Sequence, residues 1–189
     1  FPDYPLFPHT SIPPAMEHLF VRKPLYTLRT WRPEDVPALA AALDNRKIWD
    51  NCRDLLPHPY TEADASAFVA LAAGREEPLE FCIEVNGAAA GNIGFRPGED
   101  IERYSAETGY WLDERFWNRG IMSDALKEAA ARYFARTSVV RLFATVFETN
   151  RPSMRVLEKA GFVRVGVQRR AVFKNGRFLD SHLYELLRP

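Results

Sequence analysis

The chain alternates short segments of strand and helix periodicity from Leu25 to its end. Residues 25–31 alternate apolar and polar side chains, as a strand does, and the apolar positions of residues 36–43 recur with the helical period. Thr61 followed by Asp64 forms an imperfect capping box, so we expect a second helix that ends near residue 73. The first third of the chain is therefore predicted to be a strand followed by two helices.

Two Asn-Gly pairs indicate β-hairpins. Asn86-Gly87 separates the strand patterns of residues 79–85 and 89–95, and Asn175-Gly176 separates those of 163–174 and 178–187. An Asn-Gly pair between two such patterns favours a two-residue turn, because both residues accept a positive φ. The sequence predicts one hairpin before the middle of the chain and a longer one at its end.

Between the hairpins the pattern is strand, helix, strand, helix. Residues 104–113 lead through a turn into a helix that begins at Ile121, and residues 139–147 are apolar enough to predict a central strand covered on both faces. The last helix is capped near Asn150 and closed by Gly161. The order of elements predicts a mixed α/β sheet with helices on its faces.

Residues 1–24 contain six of the 14 prolines and have neither helical nor strand periodicity. We predict an extended arm here, with a single domain over residues 25–189. The aromatic side chains of the arm either dock on the domain or on a neighbouring subunit, or they belong to a mobile tail. The sequence leaves both interpretations open.

Composition excludes several functional classes. The 25 basic and 25 acidic residues balance, so no global field draws the chain to nucleic acid or to an anionic membrane. The two cysteines and four histidines lack ligand spacing, which predicts no metal. No apolar run reaches the about 18 residues of a membrane span, and the start lacks the apolar core of a signal peptide. We expect a cytoplasmic protein, either a monomer or a homodimer.

The turn at residues 117–123 is the strongest local indication of a ligand. A strand that leads into a helix N-terminus leaves backbone N–H groups unpaired above the turn, and these suit a phosphate. Asn118, Arg119 and Gly120 add a short polar side chain, a fixed charge and a position without Cβ. An ordinary strand-to-helix connection with a glycine in a tight corner explains the same residues.

Four segments in order resemble the GNAT superfamily of acetyltransferases. They are Gly109-Tyr-Trp-Leu-Asp, Trp117-Asn-Arg-Gly-Ile-Met-Ser-Asp-Ala-Leu, Asn150-Arg-Pro-Ser-Met-Arg-Val-Leu-Glu-Lys-Ala-Gly-Phe162, and residues 170–184. Within the superfamily they are most similar to the branch that contains the ribosomal-protein N-terminal acetyltransferases. The resemblance covers residues 25–188 and implies a single α/β (α+β) domain whose mostly antiparallel sheet is splayed at the acetyl-CoA site.

The resemblance also implies how acetyl-CoA, as the acyl donor, is held. Backbone groups of the turn would hold the diphosphate, the edge of the preceding strand would pair with or polarise the pantetheine and acetyl groups, and an Asn amide would contact the pantetheine arm. The matching residues are Asn118, Arg119, Gly120, Ile121, Met122 and Ser123, then Tyr110, Trp111 and Leu112, and finally Asn150. The chain departs from the family motif at Trp117, which replaces a polar residue, and at Met122, which replaces a small one.

Catalytic residues are less strongly indicated. Glu107 is the predicted general base because it shares a strand face with Gly109 and Trp111, although a carboxylate paired with Arg103 or Arg119 looks the same in sequence. The family's Tyr acid falls on Leu157, and Ser153 matches a serine proposed as the proton donor in ribosomal-protein enzymes. A helix-start serine without a catalytic role has the same appearance.

The position of a second family carboxylate bears on the acceptor amine. In the ribosomal-protein branch this Glu lies in the first strand of the C-terminal hairpin, and the matching residue here is Val172. Deprotonating a lysine amine at pH 7 costs about 4.6 kcal/mol, against about 1 kcal/mol for an α-amine, so a site with a weak base favours the α-amine. We therefore expect a protein or peptide N-terminus as the acceptor.

The sequence leaves three alternatives open. In the first, the acceptor is a small amine, such as a polyamine, an amino acid or an antibiotic. In the second, the chain is a non-catalytic module that binds an acyl-CoA. The third alternative, a nucleotide-binding Rossmann enzyme, is disfavoured because Gly-x-Gly-x-x-Gly is missing.

Overall fold

The computed structural model describes residues 25–74 and 79–189, so the predicted arm of residues 1–24 lies outside the described residues. Seven strands and five helices make up this part of the chain. The strands are β1 (Thr27–Arg29), β2 (Glu80–Val85), β3 (Ala88–Pro97), β4 (Ser105–Leu112), β5 (Arg141–Phe147), β6 (Val163–Lys174) and β7 (Arg177–Leu187). The helices are α1 (Val36–Leu43), α2 (Arg46–Trp49), α3 (Glu62–Ala73), α4 (Ile121–Arg136) and α5 (Arg151–Lys159).

One sheet contains all seven strands in the order β1-β2-β3-β4-β5-β7-β6. Every neighbouring pair is antiparallel except β4 and β5, which run parallel. These two strands pair only from Ser105 to Glu107 on β4 and from Arg141 to Phe143 on β5. Beyond Glu107 they separate, and this confirms the expected mixed, mostly antiparallel sheet that is splayed in the middle.

Helices cover both faces of the sheet, as predicted. On one face α4 and α5 bury Ala125, Leu126 and Leu157 completely against the strands. On the other face α1 and α3 form a second apolar cluster around Leu39 and Val69. Burial of the apolar side chains of α1, α3, α4 and α5 accounts for the three-layer arrangement.

Local signals in the sequence correspond to local structure. Thr61 Oγ1 accepts a hydrogen bond from the Asp64 N–H at 3.3 Å, while Asp64 Oδ2 accepts one from the Thr61 N–H at 2.9 Å. This reciprocal capping box starts α3. Asn86-Gly87 and Asn175-Gly176 all have positive φ and form the turns of the two hairpins. The predicted hairpins and the second helix start are therefore confirmed.

Two details differ from the sequence prediction. Strand β5 is not covered on both faces, because Leu142, Ala144 and Val146 are buried while Thr145 is exposed. The reason is that α1 packs against β3 rather than over β5. Helix α2 lies between the two predicted helices, where the sequence patterns indicated no element, and the Asn45 side chain caps its short turn. Across residues 25–74 and 79–189, no helix is long and apolar enough to span a membrane.

Candidate active site

The separation of β4 from β5 opens a cleft of about 530 Å³, which we call the main cleft. The end of β4, the turn before α4 and the beginning of α5 line it, together with part of the segment between α1 and α3. The structure brings Ser153 and all ten predicted cofactor residues to this cleft, namely Tyr110, Trp111, Leu112, Asn118, Arg119, Gly120, Ile121, Met122, Ser123 and Asn150. Glu107 is not among the residues that line it.

The turn before α4 presents backbone N–H groups to the main cleft. Asn118 and Gly120 both have positive φ, of 60° and 78°, which curl the chain tightly into the helix. The N–H groups of Ile121, Met122 and Ser123 have no acceptor within the helix, because they belong to its first turn. Curled backbone of this kind forms a concave binding site for an anion.

The indole of Trp117 explains how the chain tolerates an aromatic residue at this turn. Its Nε1–H donates a hydrogen bond of 2.6 Å to the carbonyl oxygen of Leu112, which ties the turn back to the end of β4. The Leu112 carbonyl is therefore already engaged, whereas the family resemblance implies that the backbone of Leu112 pairs with a ligand. A Trp here stabilises the turn and leaves the N–H groups of the following residues exposed to the cleft.

The charges that line the main cleft suit a polyanion. Its four charged lining residues are the cations Lys47, Arg119, Arg155 and Lys159. Lys47 pairs with Glu114, while the other three form no ion pair within the described parts of the chain. The total charge of the chain is balanced, but the lining of the main cleft is positive, and this local field favours phosphate groups.

Asn150, Ser153 and Tyr110 form a hydrogen-bonded group at the inner end of the main cleft. The Asn150 side-chain oxygen accepts the Ser153 N–H at 3.2 Å and so caps α5. The Ser153 hydroxyl lies 2.8 Å from the Tyr110 hydroxyl, which reaches across from β4. Burial raises the pKa of the Tyr110 phenol, so the phenol keeps its proton at neutral pH. From sequence only a backbone role is predicted for Tyr110, because no local pattern indicates its side-chain contact with Ser153.

Glu107 is the last residue of β4 that pairs with β5, and its side chain lies on the opposite face of the sheet from that of Tyr110. It pairs with Phe143 in the sheet, and its carboxylate forms an ion pair with Arg53. From sequence, Arg103 or Arg119 was the alternative ion-pair partner of Glu107. In the structure the partner is Arg53. The Glu107 side chain is 19% exposed, so one face of the carboxylate is close to solvent.

A smaller cavity of about 280 Å³ lies next to the main cleft, and we call it the side cavity. The end of β5, the outer part of the β6–β7 hairpin and residues 52–54 line it. Cys52 lines both spaces and so marks their junction. Thr145 and Phe147 of β5 alternate with buried residues and face the side cavity, on the same side of the sheet as Glu107.

The β6–β7 hairpin contributes to the side cavity through a bulge. Gln168 pairs with Ser181 and Val172 with Leu179, so three residues of β6 lie opposite one residue of β7. Arg170 has a φ of 52° in this bulge, and its N–H donates to Asp180 at 2.7 Å. The bulge brings both Gln168 and Ala171 to the cavity wall.

Comparison with known proteins identifies the family. The acetyltransferase (GNAT) domain matches residues 26–163. The chain belongs to the GNAT acetyltransferase family. This match covers both sides of the main cleft, from β1 to the first residue of β6.

Individual GNAT relatives match over shorter segments. The ribosomal-protein-serine acetyltransferase of Escherichia coli is 35% identical over 95 residues, which are 50% of this chain and 52% of that protein. The N-acetyltransferase YoaA of Bacillus subtilis is 32% identical over 99 residues, which are 52% of this chain and 55% of that protein. The chain thus spans about half the length of the curated relatives it matches.

Solved GNAT structures share the fold over most of the chain. RimL, a ribosomal-protein α-N-acetyltransferase whose structure was solved in complex with coenzyme A, superimposes on this chain with a TM-score of 0.76. The alignment covers 86% of this chain and 94% of that one at 24% sequence identity. At this identity the likeness shows the fold alone.

Two features of this GNAT site have no counterpart in the predictions from sequence. The first is the set of cations Lys47, Arg155 and Lys159: Lys47 lies in α2 and the other two lie one turn apart in α5, and only the fold brings these two helices to one cleft. The second is the part of β7 that lines the side cavity: Tyr184 is 1% exposed and its hydroxyl donates to Glu158 of α5, so it lines neither cavity. Ser181, on the other face of β7, lines the side cavity instead.

The thiol of Cys52 provides a test of this geometry. Burial raises its pKa to about 11, so we expect iodoacetamide to alkylate it about 100-fold more slowly at pH 7 than an ordinary exposed thiol. The rate should rise about tenfold for each pH unit up to pH 10, and acetyl-CoA, which has no free thiol, should slow it. Mass spectrometry of the labelled peptide measures this, with fully buried Cys82 as the internal control. Alkylation at the rate of a free thiol at pH 7 would contradict the placement of Cys52.

Proposed function

We propose that this protein is an acetyl-CoA-dependent N-acetyltransferase whose acceptor is the N-terminal α-amine of a protein or peptide. The observation that carries the proposal is the junction at Cys52, where a cleft suited to a polyanion meets a second cavity. A donor in the main cleft and an acceptor in the side cavity would meet near the separation of β4 and β5. Such a ternary complex permits direct transfer.

The main cleft fits coenzyme A in shape and charge. The N–H groups of the turn at residues 118–123 would hold the diphosphate, with Arg119 beside them. The open edge of β4 would hydrogen-bond the pantetheine arm, because β5 no longer occupies it beyond Glu107. RimL, which shares this fold, binds coenzyme A, and this supports the assignment of the donor.

The transfer itself needs one proton removed and one supplied. The neutral amine attacks the thioester carbonyl carbon, a C–N bond forms, the C–S bond breaks, and the thiolate takes up a proton. Glu107 would accept the proton of the amine through a water molecule. It lies where β4 and β5 separate, on the same side of the sheet as the side cavity. Ser153 would supply the proton to the thiolate, and the Tyr110 phenol would orient its hydroxyl.

The preference for an α-amine follows from the weakness of this base. Glu107 is engaged by Arg53, and Val172 stands where the resemblance to the ribosomal-protein branch implies a further carboxylate. Deprotonating a lysine amine at pH 7 costs about 4.6 kcal/mol of free energy, and a weak base offsets little of that cost. An α-amine needs only about 1 kcal/mol.

A panel of amines incubated with acetyl-CoA tests the proposal. The panel contains peptides with a free N-terminus, polyamines, amino acids and an aminoglycoside, and mass spectrometry detects acetylated products while a thiol reagent follows released CoA. We expect the peptides with a free N-terminus to be acetylated. Binding of coenzyme A without any acetylated product would instead indicate a non-catalytic acyl-CoA module.

A further inference from the structure

The side cavity has a positive lining beside the point of transfer. Among the described residues that line it, the charged ones are Arg53, Lys174 and Asp54, so the two cations outnumber the single carboxylate. Glu107 lies outside the lining and is paired with Arg53. Such a cavity repels a polycation and favours an acceptor that carries a negative group.

Lys174 is the more unusual of the two cations. Its side chain is only 3% exposed, although it lies next to the hairpin turn. The ammonium is 2.6 Å from Asp54 Oδ1 and 3.3 Å from the centre of the Trp49 ring. An ammonium has three N–H donors, and a buried one is stable only when anions or aromatic faces surround it. Lys174 therefore requires an anionic partner, and a carboxylate from a ligand can meet this requirement as Asp54 does.

Asp54 holds Lys174 from an exposed position. Its side chain is 69% exposed and belongs to the irregular segment between α2 and α3. An exposed carboxylate can turn into solvent without loss of packing, because water replaces its hydrogen bonds. The buried ammonium, by contrast, stays in place against Trp49. This pair thus has a fixed cation and a replaceable anion.

We propose that Lys174 binds a carboxylate of the acceptor, which takes the place of Asp54. This inference rests on the proposed function and specifies its acceptor class, an α-amine with a carboxylate close to it. Exposed Arg53 adds a second cation to the lining of the side cavity. The carboxylate is either an acidic side chain next to the N-terminus of a peptide or the α-carboxylate of a free amino acid. Both place a negative group within one residue of the reacting amine.

The experiment compares two peptides that begin Ser-Asp and Ser-Asn and are otherwise identical, together with free serine. Their dissociation constants for the CoA-loaded protein and their kcat/KM values are measured with the original protein and with Lys174→Met. Met keeps the length of the side chain and its packing on Trp49 while it removes the charge. We expect the Ser-Asp peptide to bind about tenfold more tightly than the Ser-Asn peptide, and Lys174→Met to abolish this ratio without weakening the Ser-Asn peptide.

Two further variants separate recognition from structure. Asp54→Asn removes the competing carboxylate, so it should increase the preference for the Ser-Asp peptide, opposite to Lys174→Met. Arg177→Met removes a charge from the same hairpin outside the cavity and should leave the ratio unchanged. Melting temperatures of all variants report on the fold.

Equal binding of the two peptides to the original protein, together with no binding of free serine, would overturn the inference, as would an equal effect of Lys174→Met on both peptides and on free serine. Tight binding of free serine with no preference between the peptides would overturn the acidic side chain and support the α-carboxylate. Because binding is measured without turnover, a failure of the proposed acetyl transfer shows itself separately as binding without product.

Discussion

Glu107→Gln is expected to slow acetyl transfer by about 100-fold while the affinity for coenzyme A stays unchanged. Gln keeps the shape of the side chain and still accepts a hydrogen bond from Arg53, so the contact between β4 and the segment after α2 persists. What it loses is the ability to take a proton from the amine. Initial rates with acetyl-CoA and an N-terminal peptide, with calorimetric binding of coenzyme A alongside, measure both quantities.

The matched control is Glu102→Gln, an exposed carboxylate in the connection between β3 and β4. It changes the total charge by the same amount and should leave the rate within about twofold of the original. If Glu107→Gln were as fast as Glu102→Gln, Glu107 would not be the base, and the amine would have to lose its proton directly to solvent.

Gly120→Ala is expected to weaken coenzyme A binding by at least about tenfold. Gly120 has a φ of 78°, and nothing lies within 4 Å of the position that a Cβ would occupy. That open position is on the turn where the diphosphate would approach the backbone, so a methyl group would displace the ligand. The left-handed backbone also costs an Ala about 1–2 kcal/mol of stability.

Gly87→Ala separates these two effects. Gly87 has a φ of 80° and equally open surroundings, but it lies in the β2–β3 turn and lines neither cavity. Both variants should lose similar stability in thermal unfolding, and only Gly120→Ala should lose affinity in calorimetry. Equal affinity of the two variants for coenzyme A would show that the turn before α4 does not hold the diphosphate.

Features that depend on neighbouring residues could be predicted from sequence. The turns at Asn86-Gly87 and Asn175-Gly176 and the cap at Thr61 are decided by two to four consecutive residues, and the structure agrees with each. Resemblance to a known family supplied the separation of β4 from β5. Periodicity alone could not, because every residue of β4 fits a paired strand equally well.

Features that depend on distant residues were missed. Arg53 reaches Glu107 across 54 positions of the sequence, and Lys174 reaches Asp54 across 120. No local pattern marks either pair, since each charge alone is typical of a solvated surface. The bulge around Arg170 was missed as well, because it rests on a non-glycine residue with positive φ.

The central claim, transfer to an N-terminal α-amine, is tested most directly with two peptides of one sequence that contains a single lysine. One has a free N-terminus and an acetylated lysine, and the other has an acetylated N-terminus and a free lysine. At pH 7 we expect kcat/KM to favour the free N-terminus by at least about tenfold, and the ratio to shrink towards pH 9 as the lysine becomes neutral. Equal rates at pH 7, or a faster reaction of the lysine, would contradict the account.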